Sequence, residues 1–212
     1  MITNLTVADL IAFEEDIAEV YKTGVITGPI HLRGGNEQQL IDIYQDIRQQ
    51  DIVLATWANH LEALLKGIPA DVVKKRILAG HSMAMNFQNY NFYTSAIVNG
   101  ISPIGVGMAW AAKKLKKDQR VYIFIGDMAF QSGDTIECIN YSVNFNLPVT
   151  WVVCDNEISV DTLTVKAWNG QIRNKVKAIE EEIYYRADNV DIKYYSYKNK
   201  FSHSGVGAFV SF

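Results

Sequence analysis

The chain has 212 residues, 49% of them apolar and 20% charged, with a formal net charge of −3. That length supplies a full hydrophobic core for a single domain spanning residues 1–212, and the near-neutral balance leaves no basic field for nucleic acid. No apolar run reaches the ~18 residues of a membrane span, no basic-then-apolar leader opens the chain, and two cysteines, Cys138 and Cys154, suit a reducing, cytoplasmic setting rather than a disulfide framework.

Thr6 is placed to cap a helix whose apolar residues Leu10, Phe13, Ile17 and Tyr21 follow the helical period, with Glu14, Glu15, Asp16 and Glu19 on a solvated face. A Gly/Pro loop from Gly24 to Gly35 leads to a second helix through Leu40, Ile43, Tyr44 and Ile47. Asp51 to Thr56 reads as a short buried strand. Leu61 to Lys66 is a short helix, and Pro69 opens another carrying Val72, Val73 and Ile77. From Ile77 to Ala112 there is no Asp, Glu, Lys or Arg in 36 residues. Asn86, Gln88, Asn89, Asn91 and Asn99 interrupt that stretch. It reads either as a buried loop and helix or as a polar surface covered by a partner or ligand.

Pro103 falls in the first turn of a helix whose Gly105, Gly107, Ala109, Ala111 and Ala112 permit close packing on a sheet. Lys113, Lys114, Lys116 and Lys117 suit its C-terminal dipole. Val121 to Ile125 is a continuous apolar run, as in a strand buried on both faces, and it stops at Gly126-Asp127. A helix over roughly Asp134 to Asn146 follows, then a strand from Pro148 to Cys154 that stops at Asp155-Asn156. This βαβ unit predicts parallel strands and a right-handed crossover. Ile172, Val176, Ile179 and Ile183 mark one more helix. Val190, Ile192 and Tyr194 alternate, as do Val206, Ala208, Val210 and Phe212, predicting a short closing strand pair. The expected fold is a three-layer α/β domain: a mainly parallel sheet with helices on both faces and that short C-terminal pair.

Ligands of parallel sheets bind at the carboxyl ends of the strands. Asp127 and Asn156 fall on that edge, 29 residues apart. A carboxylate and an amide oxygen, with a nearby carbonyl, are hard ligands suited to Mg²⁺ completed by phosphate oxygens. A plain cap at Asp127 and a turn at Asn156 explain the same residues, and spacing alone leaves both readings open.

The wider pattern resembles a family. Gly126-Asp127-Met128, then Leu147-Pro148-Val149, then Asp155-Asn156 is similar to the thiamine-diphosphate motif, Gly-Asp-Gly followed by Asn-Asn, of the alpha subunit of 2-oxo acid dehydrogenase first components. Upstream, His31-Leu32, Thr56 to His60, Gly80 to Met83, Asn91 to Tyr93 and Pro103 to Gly107 resemble further segments of that family. The resemblance implies thiamine diphosphate and Mg²⁺ as cofactors. It implies metal binding by the side chains of Asp127 and Asn156 and by the carbonyl of Ile158. Backbone groups of Gly126, Met128 and Ala129 would line the diphosphate. Ala96 and Val98 match positions at the pyrimidine, and His31 and His60 match histidines of the active-site channel. It further implies a small 2-oxo acid or sugar substrate, and a beta-type partner subunit that carries the activating Glu in a two-plus-two assembly. Two departures stand out. Ala58 replaces an Arg that contacts the diphosphate, and Met128 replaces the second Gly, which is disfavoured if that position needs a positive φ. The length is closer to short alpha-type chains acting on sugars or other small metabolites. A half-transketolase, or a non-catalytic relic subunit, are the alternatives.

Overall fold

The computed structural model describes residues 2–207. In chain order the elements are α1 (Val7–Lys22), α2 (Glu37–Tyr44), β1 (Ile52–Ala55), α3 (His60–Leu65), α4 (Ala70–Leu78) and β2 (Phe92–Thr94). Next come α5 (Ile101–Lys114), β3 (Val121–Gly126), α6 (Asp127–Phe130), α7 (Gly133–Asn144) and β4 (Val149–Asp155). The last are β5 (Ile158–Ser159), β6 (Thr162–Leu163), α8 (Thr164–Trp168), α9 (Ile172–Arg186) and β7 (Val190–Ser196). They fall into two compact units. One holds residues 2–49, Trp57–Ala96 and residues 198–207; the other holds Gln50–Thr56 and Ile97–Tyr197. Among the described residues no helix is long and apolar enough to cross a membrane.

In the second unit β1, β3, β4 and β7 form a parallel sheet in that order, flanked by helices. The register runs Val121↔Val149 through Gly126↔Cys154, and Val149↔Val190 through Asp155↔Ser196. Every residue of β4, and Val121 to Ile125 of β3, is buried, which is why β3 reads as an unbroken apolar run and Val149 to Cys154 as one interrupted only by Thr150. The strand expected over Val190 to Tyr194 is β7, paired parallel with β4. Val206 lies in a turn, and Ala208, Val210 and Phe212 lie outside the described residues. Among the described residues a short antiparallel pair is formed by β5 with β6.

The small residues of α5 divide between two faces. Gly105, Ala109 and Ala112 are buried, whereas Gly107 and Ala111 face solvent. A Cβ on Gly105 would lie 2.5 Å from Cδ1 and 2.8 Å from Cγ1 of Ile123, so the helix approaches β3 as closely as glycine permits.

In the first unit, Thr6 and Asp9 form a reciprocal capping box that starts α1. Glu14 corrects an expectation: it is buried, not on the solvated face. Its carboxylate accepts the backbone N–H groups of Arg33 at 3.0 Å and Gly34 at 2.8 Å. The charged helix face and the loop turn share that one residue, because the left-handed Gly34 and Gly35 point successive amides inward and buried amides require acceptors.

Candidate functional site

Because β3 and β4 are adjacent, parallel and in register to Gly126↔Cys154, the residues that follow them leave the sheet at one edge. Asp127, just past β3, is 3% exposed. Gly126 before it is extended (φ −75°, ψ 159°) and caps α6, and a Cβ there would meet nothing within 4 Å. The Asp127 carboxylate accepts the hydroxyl of Thr164. Burial, reinforced by the nearby Asp155 carboxylate and opposed by Thr164, pushes its pKa up to about 6. Asp155 ends β4 and is also buried; it accepts the Tyr194 hydroxyl at 2.7 Å and the Glu157 amide at 2.9 Å. Asn156 turns its side-chain oxygen to the Ile158 amide at 3.4 Å. Among the described residues neither carboxylate has a cationic partner, nor do three or more His, Cys, Asp or Glu side chains cluster as a metal site.

The loop that follows is folded back by two non-glycine residues in the left-handed region, Glu157 (φ 64°) and Val160 (φ 54°). For β-branched Val160 this is a strained conformation, of the kind retained near functional sites at a cost of roughly 1–3 kcal/mol. The fold-back lets the Thr164 amide reach the Glu157 carbonyl at 3.0 Å and its hydroxyl reach Asp127. Thr164 escaped the sequence reading because a lone threonine after a two-residue strand carries no periodic signal.

Met128 lies inside α6, outside the residues with positive φ, so it carries none of the backbone penalty its replacement of glycine suggested. Its sulfur accepts the indole N–H of Trp168 at 3.0 Å. Ala129 follows in the same short helix, half-buried.

Val98 is 65% exposed at the tip before α5. Asn99 anchors that tip. It is buried and left-handed (φ 60°), donates to Ser132 Oγ at 2.8 Å, and accepts the hydroxyls of Ser102 and Thr135. Ser132 in turn caps α7. The uncharged stretch is therefore mixed: Ser102, Gly105 and Val106 are buried, while Ile97 and Val98 face solvent.

The remaining sequence-derived candidates belong to the first unit. Ala96 is exposed, and its carbonyl accepts the Trp57 indole at 2.8 Å. His31 is buried against Trp57 and His203, with ring centroids 5.0 Å from each. His60 is buried, with Nε2 2.8 Å from Ser82 Oγ. The Nδ1 atoms of both histidines lack a hydrogen-bond partner. Burial holds His31 down to about 4, with His203 adding to the effect, and His60 down to about 3, with His31 and Arg33 adding. Two neutral imidazoles, each with an unused buried nitrogen, suit hydrogen bonding to an added group rather than charge pairing. His203 received no role from the sequence. It reaches His31 because Gly205 donates to the Ile30 carbonyl at 2.8 Å and Lys200 to the Arg33 carbonyl at 2.9 Å, contacts remote in sequence.

Residues 6–179 match the family described as dehydrogenase E1 component. The chain is 29% identical over 163 residues to the chloroplastic pyruvate dehydrogenase E1 component subunit alpha-3 of Oryza sativa subsp. japonica, covering 68% of this chain and 38% of that protein. It is 27% identical over 165 residues to the pyruvate dehydrogenase E1 component subunit alpha of Rickettsia bellii (73% and 51%), and 28% identical over 166 residues to that of Porphyra purpurea (70% and 48%). The chain thus spans about half, or less, of the length of these curated relatives. With the match running through both strand ends and most of the sequence, the chain belongs to the dehydrogenase E1 component family.

Proposed function

We propose that this chain is the alpha-type subunit of a thiamine-diphosphate-dependent enzyme that decarboxylates a 2-oxo acid and passes on the acyl unit. The observation that carries the reading is the common edge where β3 and β4 end, which brings buried Asp127 and half-buried Asn156 out of neighbouring strands. The groups present fit a magnesium diphosphate. Carboxylate, amide oxygen and carbonyl are hard donors. Two buried carboxylates met only by hydroxyls and amides favour a cation, and open space faces Gly126 where phosphate oxygens need room.

In this reading Asp127 and Asn156 hold Mg²⁺ by side chains and Ile158 by its carbonyl. Backbone groups of Gly126, Met128 and Ala129 line the diphosphate, and Ala96 and Val98 the pyrimidine side. When bound, thiamine diphosphate supplies the electron sink for decarboxylation. His31 and His60 stay neutral at pH 7, so they orient the substrate by hydrogen bonds and can take up charge as it develops. The partner is a beta-type subunit carrying the Glu that activates the cofactor. The relatives' names favour a 2-oxo acid over a sugar donor.

Thermal shift and calorimetric titration with thiamine diphosphate and Mg²⁺ test this, on the chain alone and co-expressed with a beta-type subunit. Binding should raise the melting temperature, require Mg²⁺, and vanish in Asp127→Ala and Asn156→Ala. No shift at millimolar cofactor with the partner present would sink the assignment and leave the non-catalytic subunit as the reading. Turnover by the purified chain alone would sink the split-enzyme part.

A further inference from the structure

The parallel sheet ends at β7: among the described residues no strand lies beyond it. The Val149 amide donates to the Asn189 carbonyl at 3.2 Å, and the Tyr197 amide to the Asp155 carbonyl at 2.9 Å. Backbone groups alternate in direction along a strand, so every second residue from Asn189 to Tyr197 turns its own toward β4. Val190, Ile192, Tyr194 and Ser196 turn their N–H and C=O groups to the open side. Such a row is a template for one more strand.

A groove of about 470 Å³ follows this edge, between Arg173, Val176, Lys177 and Glu180 of α9 and Asp191 to Tyr194 of β7. Helix α9 leads into β7 on the crossover from its parallel neighbour β4, so it runs antiparallel to the strand. Arg173, at the start of α9, therefore lies by the end of β7. It stands close enough to the Tyr194 phenol to oppose the rise that burial and the Asp155 carboxylate give the Tyr194 pKa. Glu180, two turns on, lies by the start of the strand. The strand repeats that polarity, with Asp191 before Lys193. The groove is thus acidic toward Val190 and basic toward Ser196, with buried Val176 and Ile192 between. Among the described residues Arg173, Lys177, Glu180 and Asp191 form no ion pair. Its length is about 10 Å, room for about four extended residues.

We propose that this edge binds an extended peptide segment as an added antiparallel strand, with an acidic side chain at the Arg173 and Lys177 end and a basic one about four residues later at the Glu180 and Asp191 end. Pairing to the outward backbone groups of Ile192 and Tyr194 supplies affinity. Antiparallel pairing is the slightly stronger kind per residue, and the two charged ends then fix the order of charges along the segment. Edges guarded by one sign of charge repel other strands, whereas opposite signs at the two ends select among them. The inference uses no cofactor and stands apart from the strand-end reading.

A fluorescein-labelled peptide Glu-Val-Thr-Val-Lys, blocked at both ends, tests this by anisotropy with the full chain. It should half-saturate below about 1 mM. Lys177→Glu, at an exposed position on α9, should weaken binding about tenfold, and the peptide Lys-Val-Thr-Val-Lys should bind that variant more tightly than it binds the wild type. Methylating the peptide's backbone nitrogens on one alternate set of residues should abolish binding, while methylating the other set should spare it. That period of two is what strand addition requires. No saturation by the wild type at several times that concentration would overturn the proposal, and so would self-association through this edge without peptide binding. Equal affinity for wild type and Lys177→Glu, with native circular dichroism, would overturn it as well, as would methylation effects that ignore the alternation.

Discussion

The Asp155 carboxylate, at the end of β4, stands close enough to that of Asp127, the first residue of α6, to raise the Asp127 pKa. Asp155 stands where the thiamine-diphosphate motif that this chain resembles has Asn, and it adds a second carboxylate beside Asp127. Tyr194 and the Glu157 amide satisfy its oxygens but do not neutralise it. Asp155→Asn keeps the shape and removes the repulsion. We expect the ligand-free chain to gain about 1 kcal/mol at pH 7.5, seen as a melting temperature higher by roughly 2–4 °C. A lower melting temperature would mean that the charge is already balanced.

The buried groups of the first unit make stability depend on pH with opposite signs. Burial raises Glu14 from 4.5 to about 7. A group whose folded pKa is raised contributes fully below its unfolded value, and that contribution is lost as pH climbs through the folded value. Relative to Glu14→Gln, the wild type should therefore lose on the order of 3 kcal/mol between pH 4.5 and 7.5. His60 is depressed from 6.5 to about 3 by burial, so its contribution is full above 6.5 and is lost as pH falls toward 3. His60→Gln, which retains a partner for Ser82, should flatten the acid side of the curve and leave the neutral side alone. Urea melts across this range check both. Parallel curves for wild type and either variant would show that the side chain is solvated.

Much of this was legible in the sequence where one physical rule dominates. The apolar runs Val121 to Ile125 and Val149 to Cys154, the second broken only by Thr150, announce strands buried on both faces, and their ends fix where Asp127 and Asn156 emerge. Capping chemistry placed Thr6, the apolar period placed α1, α7 and α9, and Pro103 with the small residues after it placed α5. What stayed hidden depends on contacts remote in sequence. Glu14 looked like one more acid on an acidic face until the loop amides of Arg33 and Gly34 claimed it. Thr164 and His203 reach Asp127 and His31 only because hairpin and loop geometry bring them back.

Met128 sits in helical backbone, so introducing the glycine of the motif that the chain resembles should not relieve strain. Met128→Gly adds unfolded-chain freedom and removes the sulfur partner of Trp168. The expected loss is about 1 kcal/mol. Trp168 fluorescence should shift to the red as the indole loses its neighbour. A stabilised variant would show that the helical description of residue 128 does not hold in solution.

Two glycines of α5, two positions apart, should respond to alanine in opposite directions. Both gain helix propensity from the change, by about 0.5–1 kcal/mol. At Gly107 nothing opposes that gain, because the new methyl enters open space, so Gly107→Ala should raise stability by that amount. At Gly105 the methyl would lie 2.5 and 2.8 Å from two carbons of Ile123 and 3.4 Å from Leu54. Ile123 is fully buried in the second strand of the sheet and has nowhere to retreat, so α5 must lift from β3. Overpacking of this kind costs typically 1–3 kcal/mol, which outweighs the propensity gain. Gly105→Ala should therefore melt lower than wild type while Gly107→Ala melts higher. If both substitutions shift the melt the same way, α5 is not seated on Ile123 as the structure has it.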